Sequence, residues 1–192
     1  MQVTRHTIEP DKTRMDFLST AQKSVDIICP HKPKNCRLNP LGMGRITKLF
    51  KGRGVQFRFF LGVKDKAKFG QYEGELRKRC PSGMELFLYE DDGKSGEMEV
   101  SYIIDGIWKL KTVSETPDEK LERLGKDANL DTSDLSKEDK ERLDYLTGTT
   151  EILEVCRDKE ELMRIQNVIS ALVDKAYKHF TCLGESESVE TE

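Results

Sequence analysis

The sequence lacks any long apolar segment, and it has a single tryptophan and three histidines in 192 residues. No apolar run approaches the roughly 20 residues that a membrane-spanning helix needs. The first residues also lack the hydrophobic region of a secretory signal peptide. These absences argue against the membrane-embedded and exported classes, and we expect a cytoplasmic protein with no membrane partner.

Cysteine is present in a number that does not suit a disulfide framework. The five cysteines are an odd number without repeating spacing, which fits a reducing compartment better than secretion. Cys29, His31 and Cys36 are close in sequence, and Cys80 could be a fourth ligand, but this spacing is not that of a zinc site. We therefore predict neither a metal nor any other cofactor.

Charge is unevenly distributed, although the net charge is only −3. Residues 1–113 contain 21 Lys and Arg against 14 Asp and Glu, whereas residues 114–192 contain 11 against 21. The basic excess is concentrated between His31 and Arg79, where 14 basic residues face three acidic ones. If these side chains converge, this part of the chain forms an anion-binding surface.

The composition indicates one core with a solvated appendage, because the hydrophobic fraction is 36% and the charged fraction is 35%. Residues 114–148 are acidic and poor in aromatic residues, and two weak helical patches there predict an acidic helical insert. We assign residues 1–113 to an α/β core and residues 149–182 to a strand and a long helix that complete it. Residues 183–192 are expected to be a disordered tail.

The stretch 98–110 gives the clearest local pattern, a β-hairpin. Apolar residues recur at every second position up to Ile104, as in a strand with one buried face. The Asp105-Gly106 pair that follows predicts a two-residue turn, because both residues tolerate a positive φ.

Strand and helix patterns alternate through the rest of the core. Strands are predicted over residues 24–29, 55–61, 84–89 and 149–156, and helices over residues 11–21, from residue 45, over residues 66–80 and from residue 158 to residue 180. Asp158 and Glu161 have the spacing of a capping box, which sets the start of the last helix. This alternation predicts an α/β fold with a mixed sheet flanked by helices.

In this order, the segments SVDIICP, KGRGVQFRFFL, MELFLY and SYIIDGIWKL resemble one half of the phospholipase D-like fold. Active members of that family carry His-x-Lys-x-x-x-x-Asp on the strand that enters the hairpin. With Asp105 at the aspartate position, Met98 stands at the histidine position and Val100 at the lysine position. The resemblance therefore implies a degenerate half without the family's nucleophile or its phosphate-holding lysine.

Domains of this family without the motif resemble ligand-sensing or dimerising parts of regulators. The resemblance thus implies a non-catalytic binding or regulatory module that forms a homodimer. Gly42-Met43-Gly44-Arg45 at a helix start could present backbone N–H groups to a phosphate, so a phosphorylated ligand or nucleic acid is the expected partner. The candidate ligand-binding residues are His31, Lys32, Lys34, Arg37, Arg45 and Arg58.

Two other functional classes are open from the sequence. An enzyme could act through an unrecognised site, with His31 and Cys36 as the reactive pair near the basic loop. A structural interaction protein could instead use the acidic insert 114–148 to contact a basic partner, in a complex that high salt would dissociate.

Overall fold

The computed structural model describes residues 3–6, 10–30, 52–64, 66–69, 73–80, 82–91, 100–114, 119, 121–122, 136, 138 and 151–183. Within these ranges the chain forms an α/β fold in which helices flank one mixed sheet of eight strands. This confirms the predicted fold class. In the same ranges, no helix is both long and apolar enough to cross a membrane.

The described part of the chain forms eight strands and four helices. The strands are β1 Val3–His6, β2 Ser24–Cys29, β3 Gln56–Val63, β4 Glu85–Glu90, β5 Ser101–Ile104, β6 Trp108–Ser114, β7 Glu151–Cys156 and β8 Lys178–Thr181. The helices are α1 Pro10–Ser19, α2 Lys66–Phe69, α3 Glu73–Arg79 and α4 Lys159–Lys175.

The strands are arranged in the order β1-β7-β6-β5-β2-β3-β4-β8. β2, β3 and β4 are parallel to one another, and the other neighbouring pairs are antiparallel. The three parallel strands therefore end on the same side of the sheet, at Pro30, Lys64 and Asp91, which we call the carboxyl edge. The opposite side, where these strands begin, is called the amino edge.

Two apolar clusters lie on opposite faces of the sheet. Leu18 of α1 and Leu76 of α3 pack in the first cluster. Ile165 and Ile169 of α4 pack in the second cluster together with Phe60 of β3. Apart from Asp26 and Arg58, the residues of β2 and β3 that are buried on the two faces are apolar, as is expected of strands covered by helices on both sides.

The hairpin of β5 and β6 forms where it is predicted. Asp105 and Gly106 have φ values of 52° and 68°, and the Ile107 N–H donates to the Ile104 carbonyl at 2.9 Å. The register pairs Ile104 with Trp108, so three residues connect the strands instead of the predicted two. The extra residue, Ile107, is 45% exposed, and this arrangement lets the larger Trp108 pack against the first cluster.

Helix α4 begins as predicted but ends earlier. Asp158 Oδ1 accepts a hydrogen bond from the Glu161 N–H at 3.1 Å, as in a helix N-cap. The helix ends at Lys175, and β8 then pairs antiparallel with β4. The prediction of a helix through Phe180 is wrong, because Phe180 reaches the first cluster from a strand whose backbone bonds to the sheet.

Two further predictions differ from the structure. Residues 3–6 form β1, which pairs with β7, although the sequence pattern predicts no strand there. The predicted helix 66–80 is represented by α2 and α3, with residues 70–72 outside the described part. The predicted helix from residue 45, the tail and most of the acidic insert also lie outside the described residues.

A buried ion pair joins α4 to the sheet. Lys109 of β6 is 5% exposed, and its Nζ lies 2.6 Å from Glu161 Oε1. The hydrogen bond from Arg164 and then the contact with Lys109 lower the pKa of Glu161 to about 2, against the opposing effect of burial. The Glu161 side chain thus binds Lys109 of the sheet. At the start of α4, the Asp158 N–H donates a hydrogen bond to Cys156 Sγ at 3.4 Å.

Candidate anion-binding site

The order of the strands marks one position at the carboxyl edge. The chain proceeds from β2 to β3 and β4 in one direction, whereas β5 lies on the other side of β2. In open α/β sheets, ligands bind outside the carboxyl ends of the parallel strands. β5, which is antiparallel to β2, begins at this edge. Pro30, which is buried, ends β2 at this position, and the basic loop follows it directly.

Five of the six candidate ligand-binding residues lie in the segment between β2 and β3. His31, Lys32, Lys34, Arg37 and Arg45 lie outside the described residues, as does Cys36. The structure fixes the point from which their loop leaves the sheet, at the carboxyl edge. Their convergence on one ligand stays a prediction.

The described cations at the carboxyl edge include two that are paired with carboxylates. Lys66 Nζ lies 2.7 Å from Glu90 Oε2, and Lys178 forms an ion pair with Glu73. Lys64, which follows β3, is exposed. The charges of Lys66 and Lys178 are therefore partly neutralised, and a positive potential from the basic loop at this edge stays a prediction.

Arg58, the sixth candidate, lies elsewhere. Its Nε and Nη2 donate to the two carboxylate oxygens of Asp26 at 2.5 and 2.8 Å, and Asp26 is 1% exposed. This hydrogen bond is the main cause of the raised pKa of Arg58. Arg58 precedes Val63 by five strand residues, which places it about 16 Å from the carboxyl end of β3. The structure therefore does not bring Arg58 next to the basic loop, and a role in ligand binding stays a prediction.

The position of the missing family lysine is buried. Val100 is 3% exposed and belongs to the first apolar cluster, just before β5. Ser101 pairs with Ile28 of β2, so Val100 lies at the carboxyl edge. Met98 is outside the described residues. At the lysine position of the motif, the structure therefore has a core side chain and no cation for a phosphate.

Asp105 lies at the amino edge, where its side chain has a structural function beyond the predicted turn. Its carboxylate accepts hydrogen bonds from the N–H groups of Gln22, Lys23 and Ser24 at 2.9, 2.7 and 2.9 Å. Burial acts to raise the pKa of Asp105, but these backbone hydrogen bonds outweigh it and the pKa is lowered. The carboxylate thus joins the hairpin to the start of β2.

The acidic insert contacts the sheet at β1. Arg5 Nη1 lies 2.6 Å from Glu119 Oε1, and Arg5 Nε lies 2.9 Å from Glu154 Oε1. Leu121 is 5% exposed. The hydrogen bond that Arg5 donates to Glu119 is the main cause of the raised pKa of Arg5. Glu119 of the insert therefore forms an ion pair with the core, and Leu121 beside it is buried.

The described residues offer no preformed metal site, since they contain no group of three or more His, Cys, Asp or Glu side chains that could hold an ion. Of the four cysteines that the structure describes, none forms a disulfide. Cys29 and Cys80 are buried, so both thiols lie inside the protein. His31 and Cys36 lie outside the described residues.

No protein-family model matches the chain, and a search of curated proteins finds no match. Solved structures do match. Nuc from Salmonella typhimurium, a phospholipase D family member, has a TM-score of 0.50 and 10% identity over 94% of this chain and 97% of its own. NucT from Helicobacter pylori has a TM-score of 0.49 and 13% identity over 91% of this chain and 97% of its own.

The archaeal chromatin protein TrmBL2, whose structure shows a novel mode of DNA binding, has a TM-score of 0.47 and 12% identity. That match covers 91% of this chain, which spans about half of TrmBL2, 52% of its length.

The likeness to Nuc identifies the fold of this chain as phospholipase D-like, as its sequence resemblance indicates. At these identities, the likeness describes the fold alone.

Proposed function

We propose that this phospholipase D-like chain is a non-catalytic binding or regulatory module for a phosphate-bearing ligand, with nucleic acid as the first candidate. The observation that carries the proposal is the position of β2, a central parallel strand whose carboxyl end leads directly into the basic loop. The proposed contacts are those of His31, Lys32, Lys34, Arg37, Arg45 and Arg58. The odd number of cysteines supports a cytoplasmic location.

The absence of the family's chemistry supports binding without turnover. In the family motif a histidine attacks the phosphodiester and a lysine holds the phosphate, but this chain has Met98 and Val100 at those positions. A thioether is not a suitable nucleophile for this reaction, and the valine is buried among apolar side chains. A phosphate at the carboxyl edge would instead be bound by loop cations and backbone N–H groups.

A salt series with labelled single-stranded and double-stranded oligonucleotides tests this proposal. We expect fluorescence anisotropy to show binding that weakens steeply with salt, because each neutralised phosphate releases a counterion. The double variant Arg37→Ala, Arg45→Ala should bind about tenfold more weakly and show a salt slope that is smaller by about 1–2.

The matched control is Lys23→Ala, Lys159→Ala, which removes the same charge from two exposed positions outside the basic loop. It should bind as the unmodified chain does. Absence of binding at low salt would rule out nucleic acid as the ligand. An equal loss in the control would mean that binding follows net charge and not the carboxyl edge.

We also propose that the chain forms a homodimer, as is expected of a single half of this fold. In the described part of the sheet, β1 and β8 are the end strands, and each has a hydrogen-bonded neighbour on one side. Such edges can pair with a second copy. Light scattering should therefore give twice the chain mass of 22.0 kDa. A monomeric mass across a wide concentration range would contradict this proposal.

A further inference from the structure

Two buried cysteines, Cys80 and Cys182, lie next to each other in the folded chain. Cys80 follows α3 and is 0% exposed, and Cys182 follows β8 and is 1% exposed. Both belong to the first apolar cluster, and their thiols share a hydrogen bond. The sequence separates them by about 100 residues, so their contact is a product of the fold.

Backbone hydrogen bonds hold Cys182 on both sides. Its N–H donates to the Met84 carbonyl at 2.8 Å, and its carbonyl accepts from the Gly83 N–H at 3.0 Å. The Leu183 N–H donates to the Arg77 carbonyl at 2.8 Å, in the helix that leads to Cys80. Cys182 is thus fixed between the last turn of α3 and the start of β4, which keeps the two sulfurs together.

The surroundings shift the pKa values of the two thiols in opposite directions. The hydrogen bond from Cys80 lowers the pKa of the Cys182 thiol, and the positive charge of Arg77 acts in the same direction. The same hydrogen bond and then burial raise the pKa of Cys80. Since the thiolate is the reactive form of cysteine, this difference favours Cys182 as the attacking sulfur.

We propose that Cys80 and Cys182 are a redox site that forms a reversible intramolecular disulfide when a small-molecule disulfide oxidises them. The Cys182 thiolate attacks one sulfur of the small disulfide and releases its other half as a thiolate. The Cys80 thiol then loses its proton and attacks the Cys182 sulfur, which releases the second half. The protein loses two electrons and two protons, and the small disulfide is reduced to two thiols.

Access to the site requires local opening of the sheet edge. β8 has four residues and pairs with β4 alone among the described strands, and Leu183 beyond it is 71% exposed. Short edge segments open at a lower free energy than the core does. Once formed, the disulfide would join α3 to the end of β8 and close a loop of about 100 residues, which stabilises the fold.

The test uses the full chain in glutathione buffers of increasing oxidised fraction, with peptide mapping by mass spectrometry. We expect the intact mass to fall by two hydrogens, and a peptide pair linking Cys80 to Cys182 to appear. The melting temperature should rise by about 5–10 °C in the oxidised form. Dithiothreitol should reverse both changes.

Two variants separate this site from the other thiols. Cys156→Ser removes a buried cysteine that lies outside both apolar clusters, and it should leave the Cys80–Cys182 link unchanged. Cys80→Ala should leave a glutathione adduct at Cys182 in place of the link. A disulfide that involves other cysteines, or complete alkylation of Cys80 and Cys182 in the oxidised unmodified chain, would overturn the proposal, and neither result depends on the variants folding.

Discussion

Replacing Arg58 with methionine is expected to lower the free energy of unfolding by about 3–5 kcal/mol, because it leaves a buried carboxylate without its cation. Asp26 is 1% exposed, and the guanidinium of Arg58 binds both of its oxygens at 2.5 and 2.8 Å. Asp26 would then have to stay charged in an apolar setting or take up a proton, and both alternatives are unfavourable. Urea unfolding at pH 7 measures the loss.

The double variant Asp26→Leu, Arg58→Met is the decisive control. It removes both charges, and replacing a buried pair by apolar side chains is often nearly neutral, so most of the stability should return. Arg164→Met removes an arginine from an exposed ion pair and should change stability by less than about 1 kcal/mol. If Arg58→Met costs no more than Arg164→Met, the pair has no special structural role.

The same double variant separates a structural role of Arg58 from a role in binding. If its stability returns but its affinity for oligonucleotides falls, Arg58 contributes to the ligand-binding surface despite its distance from the carboxyl edge. If both are unchanged, Arg58 serves the fold and the ligand is bound by the basic loop. A stability measurement on Arg58→Met alone could not distinguish these cases.

The sequence predicts the centre of this sheet better than its ends. β2 has the predicted bounds, because its apolar run is buried on both faces and its composition alone favours a strand. β8 has four residues, and Phe180 continues the apolar spacing of α4, so the pattern favours helix. The pairing of β8 with β4 is a tertiary contact that a local pattern does not contain.

For the candidate site, the sequence identifies basic residues but not their partners. A usable signal for Arg58 was nevertheless present. SVDIIC and VQFRFFL each carry one charge within an otherwise apolar core, Asp26 and Arg58, and parallel pairing of the two strands puts them side by side. Charges of opposite sign inside adjacent buried strands indicate an ion pair before they indicate a ligand.

Asp105→Ala is the second substitution with a large expected effect, a loss of about 3 kcal/mol in the free energy of unfolding. The Asp105 carboxylate accepts from three consecutive N–H groups, those of Gln22, Lys23 and Ser24. Alanine leaves these donors without this acceptor, and it also tolerates the φ of 52° poorly. Asp16→Ala, at an exposed position on α1, is the control and should change stability by less than about 0.5 kcal/mol.

Asp105→Asn separates the charge from the turn conformation, because asparagine tolerates a positive φ and keeps one oxygen acceptor. We expect a smaller loss, about 1–2 kcal/mol at pH 7. The pKa of Asp105 is lowered in the folded protein, so its charge contributes stability above the unfolded-state pKa of about 4, and this contribution is lost as pH falls through the folded pKa. The difference between the unmodified chain and Asp105→Asn should therefore be constant from about pH 5 to 7 and shrink below about pH 4. The three N–H donors lie at the start of β2, so the carboxylate joins the hairpin to this central strand. If the difference in stability did not shrink in acid, Asp105 would stabilise the hairpin through its backbone conformation and not through its carboxylate.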